Sequence, residues 1–541
     1  MREPSMVAAQ TAVSDSSAAN PSAWEARARQ GAEWVLGAVL VIAPLFLGGK
    51  PAWALLSLEV LSLAMIALVL MQPRPLPISA REGVAIALLL GLPWLYLLPL
   101  PAVIATWVPG HALYAEASAL MMGEAGSGLT RLSVVPDVTE SSGLFLWAPV
   151  GVFIVTRWLA PTALLRLVLL VLAVGLLQGL LGAVQFLLDL APLGGDLDAN
   201  GFEGLRSAAG TLSNAGHLAG LLNMVLALTL GLTAYGLEHR SRRRKRRGEA
   251  LSVGDWLQRY PAIPYAVIAA LLLAALLLTR SRVGIGLSIL AVMIWTLLLA
   301  QRSAGQERWL GIPRALVMVA IGGALVMALL PLFDRFSVPD VMARQQGEIV
   351  TATLSGIVAF FPFGSGPGTY SEVFPAFQPV ELGQWSISHA QNSVLEWVFE
   401  MGVLGAVLIV LGLAMYLRQW VRIGAAGPWP RQRFLQLGAG IGLLLALLQG
   451  LFDDTLQIPA NVIYFAFLAG LFYGVPATQV ESTARRARPR RTPDLVAEEV
   501  RGGVARRKGT RPPAGGQIPN PFLDDDASTD RHAGVSGGQS V

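Results

Sequence analysis

Apolar residues along this chain come in long blocks rather than in alternation. About twelve stretches approach the roughly 20 mostly apolar residues that a helix needs to cross a bilayer. They lie near 32–49, 52–71, 83–100, 143–160, 164–188, 213–237, 262–279, 283–300, 315–332, 393–417, 434–452 and 460–475. The pattern predicts an all-α, polytopic integral membrane protein of about 12 transmembrane helices. Between the blocks, the intervals 101–142, 189–213 and 333–388 are the most substantial, and the last is the longest. Connections of that length are uncommon without a function. Residues 1–31 and 476–541 have little apolar content and are read as disordered flanks of a membrane domain spanning 32–475.

Composition agrees with the pattern. The 541 residues are 54% apolar and only 14% charged, against about 25% charged in average soluble proteins. Cysteine is absent, which excludes disulfide scaffolds, thiolate metal sites and cysteine nucleophiles. A net charge of +5 and a pI near 9.7 would suggest nucleic acid in a soluble protein. Here the basic residues concentrate on alternate connections, above all in Arg240-Ser241-Arg242-Arg243-Arg244-Lys245-Arg246-Arg247. That distribution is the positive-inside signature, so membrane lipids rather than nucleic acid are the expected partner. It orients both termini to the cytoplasm and the three long intervals to the outside, with 333–388 as the main outer loop.

Seven basic residues escape that rule: Lys50, Arg131, Arg206, Arg280, Arg282, Arg335 and Arg344. Arg280 and Arg282 occupy a hairpin between two apolar blocks, where they can snorkel to headgroups or grip an anion through paired N–H donors. Both readings stay open at this point. Arg206 precedes Gly210-Thr211-Leu212-Ser213-Asn214, which opens into a helix whose positive end faces outward. Arg335 and Arg344 precede Pro362-Phe363-Gly364-Ser365-Gly366-Pro367-Gly368. The glycines there either offer N–H groups to a phosphate or simply make a tight loop.

The stretch 388–405 holds the densest candidate chemistry. On a helix His389, Asn392, Ser393, Glu396 and Glu400 fall at i, i+3, i+4, i+7 and i+11, one polar face leading into an apolar span. Ionisable groups at such depth are functional candidates, and an imidazole there can take a hydroxyl proton. No histidine has a second one at three or four residues, so no metal or cofactor is expected. Asp453 and Asp454 are read as solvated or as balancing the arginines. Gln178, Gln185, Asn223 and Gln449 are read as interhelix hydrogen bonds rather than ligands.

Taken in order, four of these pieces resemble the O-antigen ligase and polymerase superfamily of bacterial envelope enzymes. Gly210 to Ala219 is similar to its Gly-Thr-Phe-x-Asn-x-Asn-x-x-Ala, with Gly216 where the family often has a second Asn. Ser281-Arg282 resembles its Ser-Arg-Gly/Ala signature. Arg344 followed by Gly364-Ser365-Gly366 resembles its loop arginine and Gly-x-Gly. His389 to Gly405 resembles its His-Asn-x-x-Leu signature with the later glycines, and Ala390 stands where Asn is frequent.

The resemblance covers about 200–410. It implies a metal-independent, inverting glycosyltransferase in the bacterial inner membrane, working at the periplasmic face. The donor would be a glycan on undecaprenyl diphosphate, and the acceptor lipid A-core or a growing glycan. Carried over by position, it puts Arg206, Arg282 and Arg344 on the diphosphate and His389 at the acceptor hydroxyl. Arg280, Arg335, Asn214, Asn392, Glu396 and Glu400 join them as expected substrate contacts. A transporter or flippase of lipid-linked sugars is the alternative for a chain with this many apolar blocks.

Overall fold

A computed structural model describes residues 23–72, 78–101, 110, 129–190, 208–238, 260–303, 341–383, 387–423 and 429–474. The described residues belong to one compact unit, Met1–Val480. They are mostly helical: α1 (Ala23–Leu45), α2 (Ala52–Leu70), α3 (Ala80–Tyr96), α4 (Pro136–Phe145), α5 (Trp147–Trp158), α6 (Pro161–Leu188) and α7 (Ala215–Glu238) come first. Then follow α8 (Ala262–Leu278), α9 (Arg282–Ser303), α10 (Val341–Phe360), α11 (Tyr370–Val373), α12 (Ser393–Ile423), α13 (Arg431–Gln449) and α14 (Pro459–Phe472). Two short strands, β1 (Leu100–Pro101) and β2 (Leu129–Thr130), pair antiparallel.

All but one of the twelve apolar blocks are helical, and 315–332 lies outside the described residues. Among the described residues, six helices are long and apolar enough to cross a membrane by length and composition. They are α2, α4 with α5, α6, α7, α9 as far as Leu299, and α12; α8 and α14 are shorter apolar helices. The chain is a multi-pass helical membrane protein.

The helix α7 is the hub. Its apolar stretch is 94% buried, so it is wrapped on every side, as an all-round hydrophobic helix must be. It packs on α13, α8, α9, α6 and α14. Close approach is what small residues provide in place of a hydrophobic drive between helices in lipid. A side chain on Gly236 would strike the backbone at Ala262, and one on Gly438 would meet the Ala227 carbonyl. The opposite extreme is α12, of whose apolar stretch 28% is buried. Exposed Val403, Val407, Val410, Leu413, Leu417 and Val421 run along it as a lipid-facing stripe.

The interval expected as a long outer loop is a packed element from 341 onward. Ile349, Ala352, Thr353, Gly356 and Phe360 are buried at i, i+3, i+4, i+7 and i+11, one face of α10. That face meets α12, with the Phe399 ring on Gly356. Tyr370 stacks on Phe374 and meets Phe399 edge-on, both at 5.0 Å between centroids. The amphipathic stripe and this aromatic cluster are why the segment folds rather than wanders.

Candidate active site

The sequence places His389 on the helix of Glu396 and Glu400, and the structure does not. Helix α12 starts at Ser393 because Asn392 caps it: its Oδ1 accepts from the backbone N–H of Val394 and Leu395, both at 3.0 Å. An Asn in this role is worth about 1 kcal/mol. Its Nδ2 donates to the Leu451 carbonyl at 2.9 Å, and the Ser393 N–H donates to that of Gly450 at 2.7 Å. Capping and docking therefore occupy both ends of the Asn392 amide.

His389 reaches its partner by a fold-back of the preceding loop, with Gln391 in the left-handed region at φ 51°. Its Nδ1 lies 2.9 Å from Glu396 Oε1. The other carboxylate oxygen accepts from the Ala390 N–H at 2.9 Å. A carboxylate accepts, so Nδ1 carries the proton and Nε2 is left to exchange one. The Glu396 side chain is 3% exposed and that of His389 is 30% exposed, so the imidazole is held from inside and offered outside. Burial pulls the His389 pKa down, but the hydrogen bond and charge of Glu396, aided by Asp454 and opposed by Lys50, outweigh it. The net effect holds the group above its ordinary value.

Beside this pair stands a second one that the sequence reading missed. His217, in the first turn of α7, has Nε2 2.9 Å from Asp454 Oδ1 and 4.0 Å from Asp453 Oδ1. Its side chain is 3% exposed. Burial, together with Asp454, pushes Asp453 up to about 7 against the pull of His217. Asp454 goes the other way: burial would raise it, but the charge and hydrogen bond of His217 hold it far below the usual carboxylate range. The three side chains can bring ligand atoms within 4.8 Å of one another. His217 and Asp454 are already joined at hydrogen-bond distance, which ties the first turn of α7 to the turn after α13. Any side chain at position 216 would collide with the Asp453 carboxylate. Glycine there lets that carboxylate approach the positive end of α7.

The motif leading into α7 is pinned from below. Gln185 donates to the Gly210 carbonyl and accepts from the Gly210 N–H, and Gln178 donates to the Thr211 hydroxyl and accepts from the Thr211 N–H. Asn223 donates to the Gly284 carbonyl at 2.9 Å, and Gln449 to that of Gly216 at 2.8 Å. Asn223 and Gln449 thus join helix to helix, as their positions suggested, and Gln178 does so by also donating to the Pro44 carbonyl of α1, whereas Gln185 holds the turn before α7. Asn214 caps α7 through Oδ1, which accepts from the Gly216 N–H at 2.7 Å.

Arg280 and Arg282 flank Ser281 between α8 and α9, with Arg280 at φ 55°. Ser281 accepts from the Gly284 N–H at 3.1 Å, closing the first turn of α9. Gly284 packs on Ala219 of α7. The arginine hairpin, the capped start of α7 and the aspartate pair thus share one end of the hub helix. His389 sits there too, close enough for Asp454 and Lys50 to act on it.

The glycine loop resolves toward the tight-turn reading. Inside α12, Gly402 adopts φ 54°, ψ −134° and breaks the helix. The N–H groups of Ser365 and Gly366 donate to the freed carbonyls of Phe399 and Glu400 at 3.1 and 2.8 Å, and the Val403 N–H donates to that of Pro362 at 2.9 Å. The Glu400 side chain, buried, accepts from the Tyr370 N–H at 3.1 Å and faces the Gly368 N–H. Glu400 therefore anchors this loop instead of continuing a face with His389. Arg344 belongs to α10, and Arg206 and Arg335 lie outside the described residues.

Comparison with known families completes the site. Residues 267–410 match the family model described as O-Antigen ligase. The match runs from α8 through the arginine hairpin, the glycine loop and His389 into α12, and over those residues the chain is similar to that family. No curated protein matches the chain.

Proposed function

We propose, from that match, that the chain is an O-antigen ligase/polymerase-type membrane enzyme that transfers a glycan from undecaprenyl diphosphate to a sugar hydroxyl. The reaction takes place at the periplasmic face of a bacterial inner membrane, with both termini of the chain cytoplasmic. The product is O-antigen joined to lipid A-core, or a polysaccharide lengthened by the same chemistry. The observation that carries this reading is the His389–Glu396 pair, half-open at the end of α7 that also holds the Arg280–Arg282 hairpin.

The acceptor oxygen attacks the anomeric carbon, and the bond from that carbon to the diphosphate breaks. The electron pair leaves with undecaprenyl diphosphate, and the acceptor proton passes to His389 Nε2. Glu396 then stabilises the imidazolium. One displacement inverts the anomeric centre. A diphosphate is a competent leaving group once its charge is met, so Arg282 and Arg280, with Arg344, Arg206 and Arg335, supply electrostatic stabilisation. Asn214, Asn392 and Glu400 act through the backbone segments they hold.

The test is a purified reaction with an undecaprenyl-diphosphate glycan and candidate acceptors, comparing the wild type with His389→Ala at equal membrane level. Product from the wild type and almost none from the variant supports the proposal. In cells, donor trapped on the cytoplasmic leaflet after the same substitution would instead indicate a flippase.

A further inference from the structure

The far end of α12 carries a second charged cavity. About 270 Å³ in volume, it is lined by Ser79, Arg81, Glu82, Arg418, Arg422 and Tyr473, among others. Glu82 contributes no net charge there, because it is buried and paired with Arg157 at 3.0 Å. Arg81, Arg418 and Arg422 are exposed, and among the described residues none of the three meets a carboxylate. Three like charges around one hollow repel each other and favour an anion between them. The first turn of α3 forms part of the wall, already closed by the capping box of Ser79 and Glu82, so the arginines carry the attraction.

We propose that this cavity binds the phosphate of an anionic phospholipid headgroup. Two observations favour a lipid over a free phosphate. The exposed stripe from Val403 to Val421 descends α12 and ends beside Arg418 and Arg422, giving an acyl chain a surface directly continuous with the headgroup site. The level of the cavity is also marked by interfacial aromatics. The Trp158 ring lies 5.4 Å from the Arg29 guanidinium, the Trp429 ring 5.4 Å from that of Arg433, and Trp420 and Tyr473 both pack on Phe472. Tryptophan and tyrosine collect at the membrane–water boundary, and basic pockets between helices on the cytoplasmic side suit anionic headgroups. At 1.5 Å per residue, the part of α12 beyond the Gly402 break alone carries Arg422 roughly 30 Å from Val403, so this site is remote from His389 and independent of the transfer reaction.

The test uses the full chain purified in detergent and mixed with lipid: phosphatidylglycerol, phosphatidylcholine, or no lipid with inorganic phosphate. Lipid retention is read by native mass spectrometry and thermal stabilisation by melting. Phosphatidylglycerol alone should be retained and stabilising. Affinity should fall about fivefold for each guanidinium removed by Arg418→Gln and Arg422→Gln. The control Arg166→Gln removes an exposed arginine that pairs with Glu33 and should change nothing. Arg418→Lys with Arg422→Lys keeps the charge and should retain most binding. If the Gln variants fold poorly, wild-type retention must still weaken steeply with salt. Equal retention of phosphatidylcholine, full stabilisation by inorganic phosphate, salt-independent binding, or undiminished binding by the Gln variants would each overturn the proposal.

Discussion

Two imidazole–carboxylate pairs lie near one another, each closed at 2.9 Å, and they differ in what surrounds them. His389 is held by Glu396 with its side chain 30% exposed, whereas His217 is held by Asp454 with its side chain 3% exposed. The first pair sits in a loop with one ring nitrogen open to a substrate. The second sits under the docking turn of α12, where Asp453 and Asp454 also receive the start of α7. The same pairing is thus open to solvent in one place, where we propose it serves catalysis, and sealed in the other, where it ties two elements together.

The sharpest way to break that comparison is to remove each imidazole in turn. His389→Ala should lower the transfer rate per folded molecule by about 10²–10⁴-fold, the usual worth of a positioned proton acceptor, beyond any loss of melting temperature from leaving buried Glu396 with only the Ala390 N–H. His217→Ala should cost stability while leaving the rate per folded molecule near wild type. It strands Asp454, 8% exposed, and breaking one side of a buried pair costs about 3–5 kcal/mol. Melting of the purified protein and its level in membranes should fall, with activity lost only in proportion. A His217 variant that stays stable but inactive would make the second pair a partner in the chemistry.

Glu396→Gln tests what holds the open pair in its charge state. In the wild type, Glu396 and Asp454 outweigh burial and keep His389 titrating above 6.5. The neutral imidazole is the base, so the transfer rate should rise with pH and reach half its maximum at that raised pKa. Gln removes the largest upward influence, and the midpoint should move to lower pH with a lower plateau. Stability runs the other way. A folded pKa above the unfolded one stabilises the protein fully below the unfolded value, and that share is lost as pH rises through the folded pKa. Melting measured upward from about pH 6.5 should therefore decline in the wild type and decline less in the variant. Asp454→Asn should shift the same midpoint downward by a smaller step, since its influence on His389 is through space alone.

Much of the open pair was legible from residue order, and little of the sealed one was. The His389, Glu396 and Glu400 spacing drew attention to the right segment. The error lay in extending the helix back past Asn392-Ser393, although an Asn before an apolar run is a helix-start signal. In the sequence Asp453 and Asp454 read as solvated or as balancing the arginines, because their partner His217 lies on α7, more than two hundred residues away. Only the packing of α13 on α7 brings them together. A hint existed in the two adjacent acids closing one apolar block and the lone histidine opening another. Gly216, which looked like a departure from a family pattern, makes room for a carboxylate. The interval after 341 reads as a loop because it lies between two membrane-length apolar blocks, yet the 349, 352, 353, 356 and 360 stripe has the period of a helix.

The smallest expected effect decides how far the two pairs depend on one another. Asn392 is the hinge between them: its Oδ1 caps the helix that carries Glu396, and its Nδ2 holds the turn that carries Asp453 and Asp454. Asn392→Ala should cost about 1 kcal/mol from the cap. Asn392→Ser keeps a neutral capping oxygen and loses the amide donor to Leu451, so it should recover most of that stability. If the pairs are mechanically separate, both variants transfer glycan at nearly the wild-type rate and keep its pH midpoint. If the docking turn positions His389 by way of Asp454, the Ser variant should melt close to wild type yet show a midpoint displaced to lower pH. That result would tie the sealed pair to the open one through a single side-chain amide.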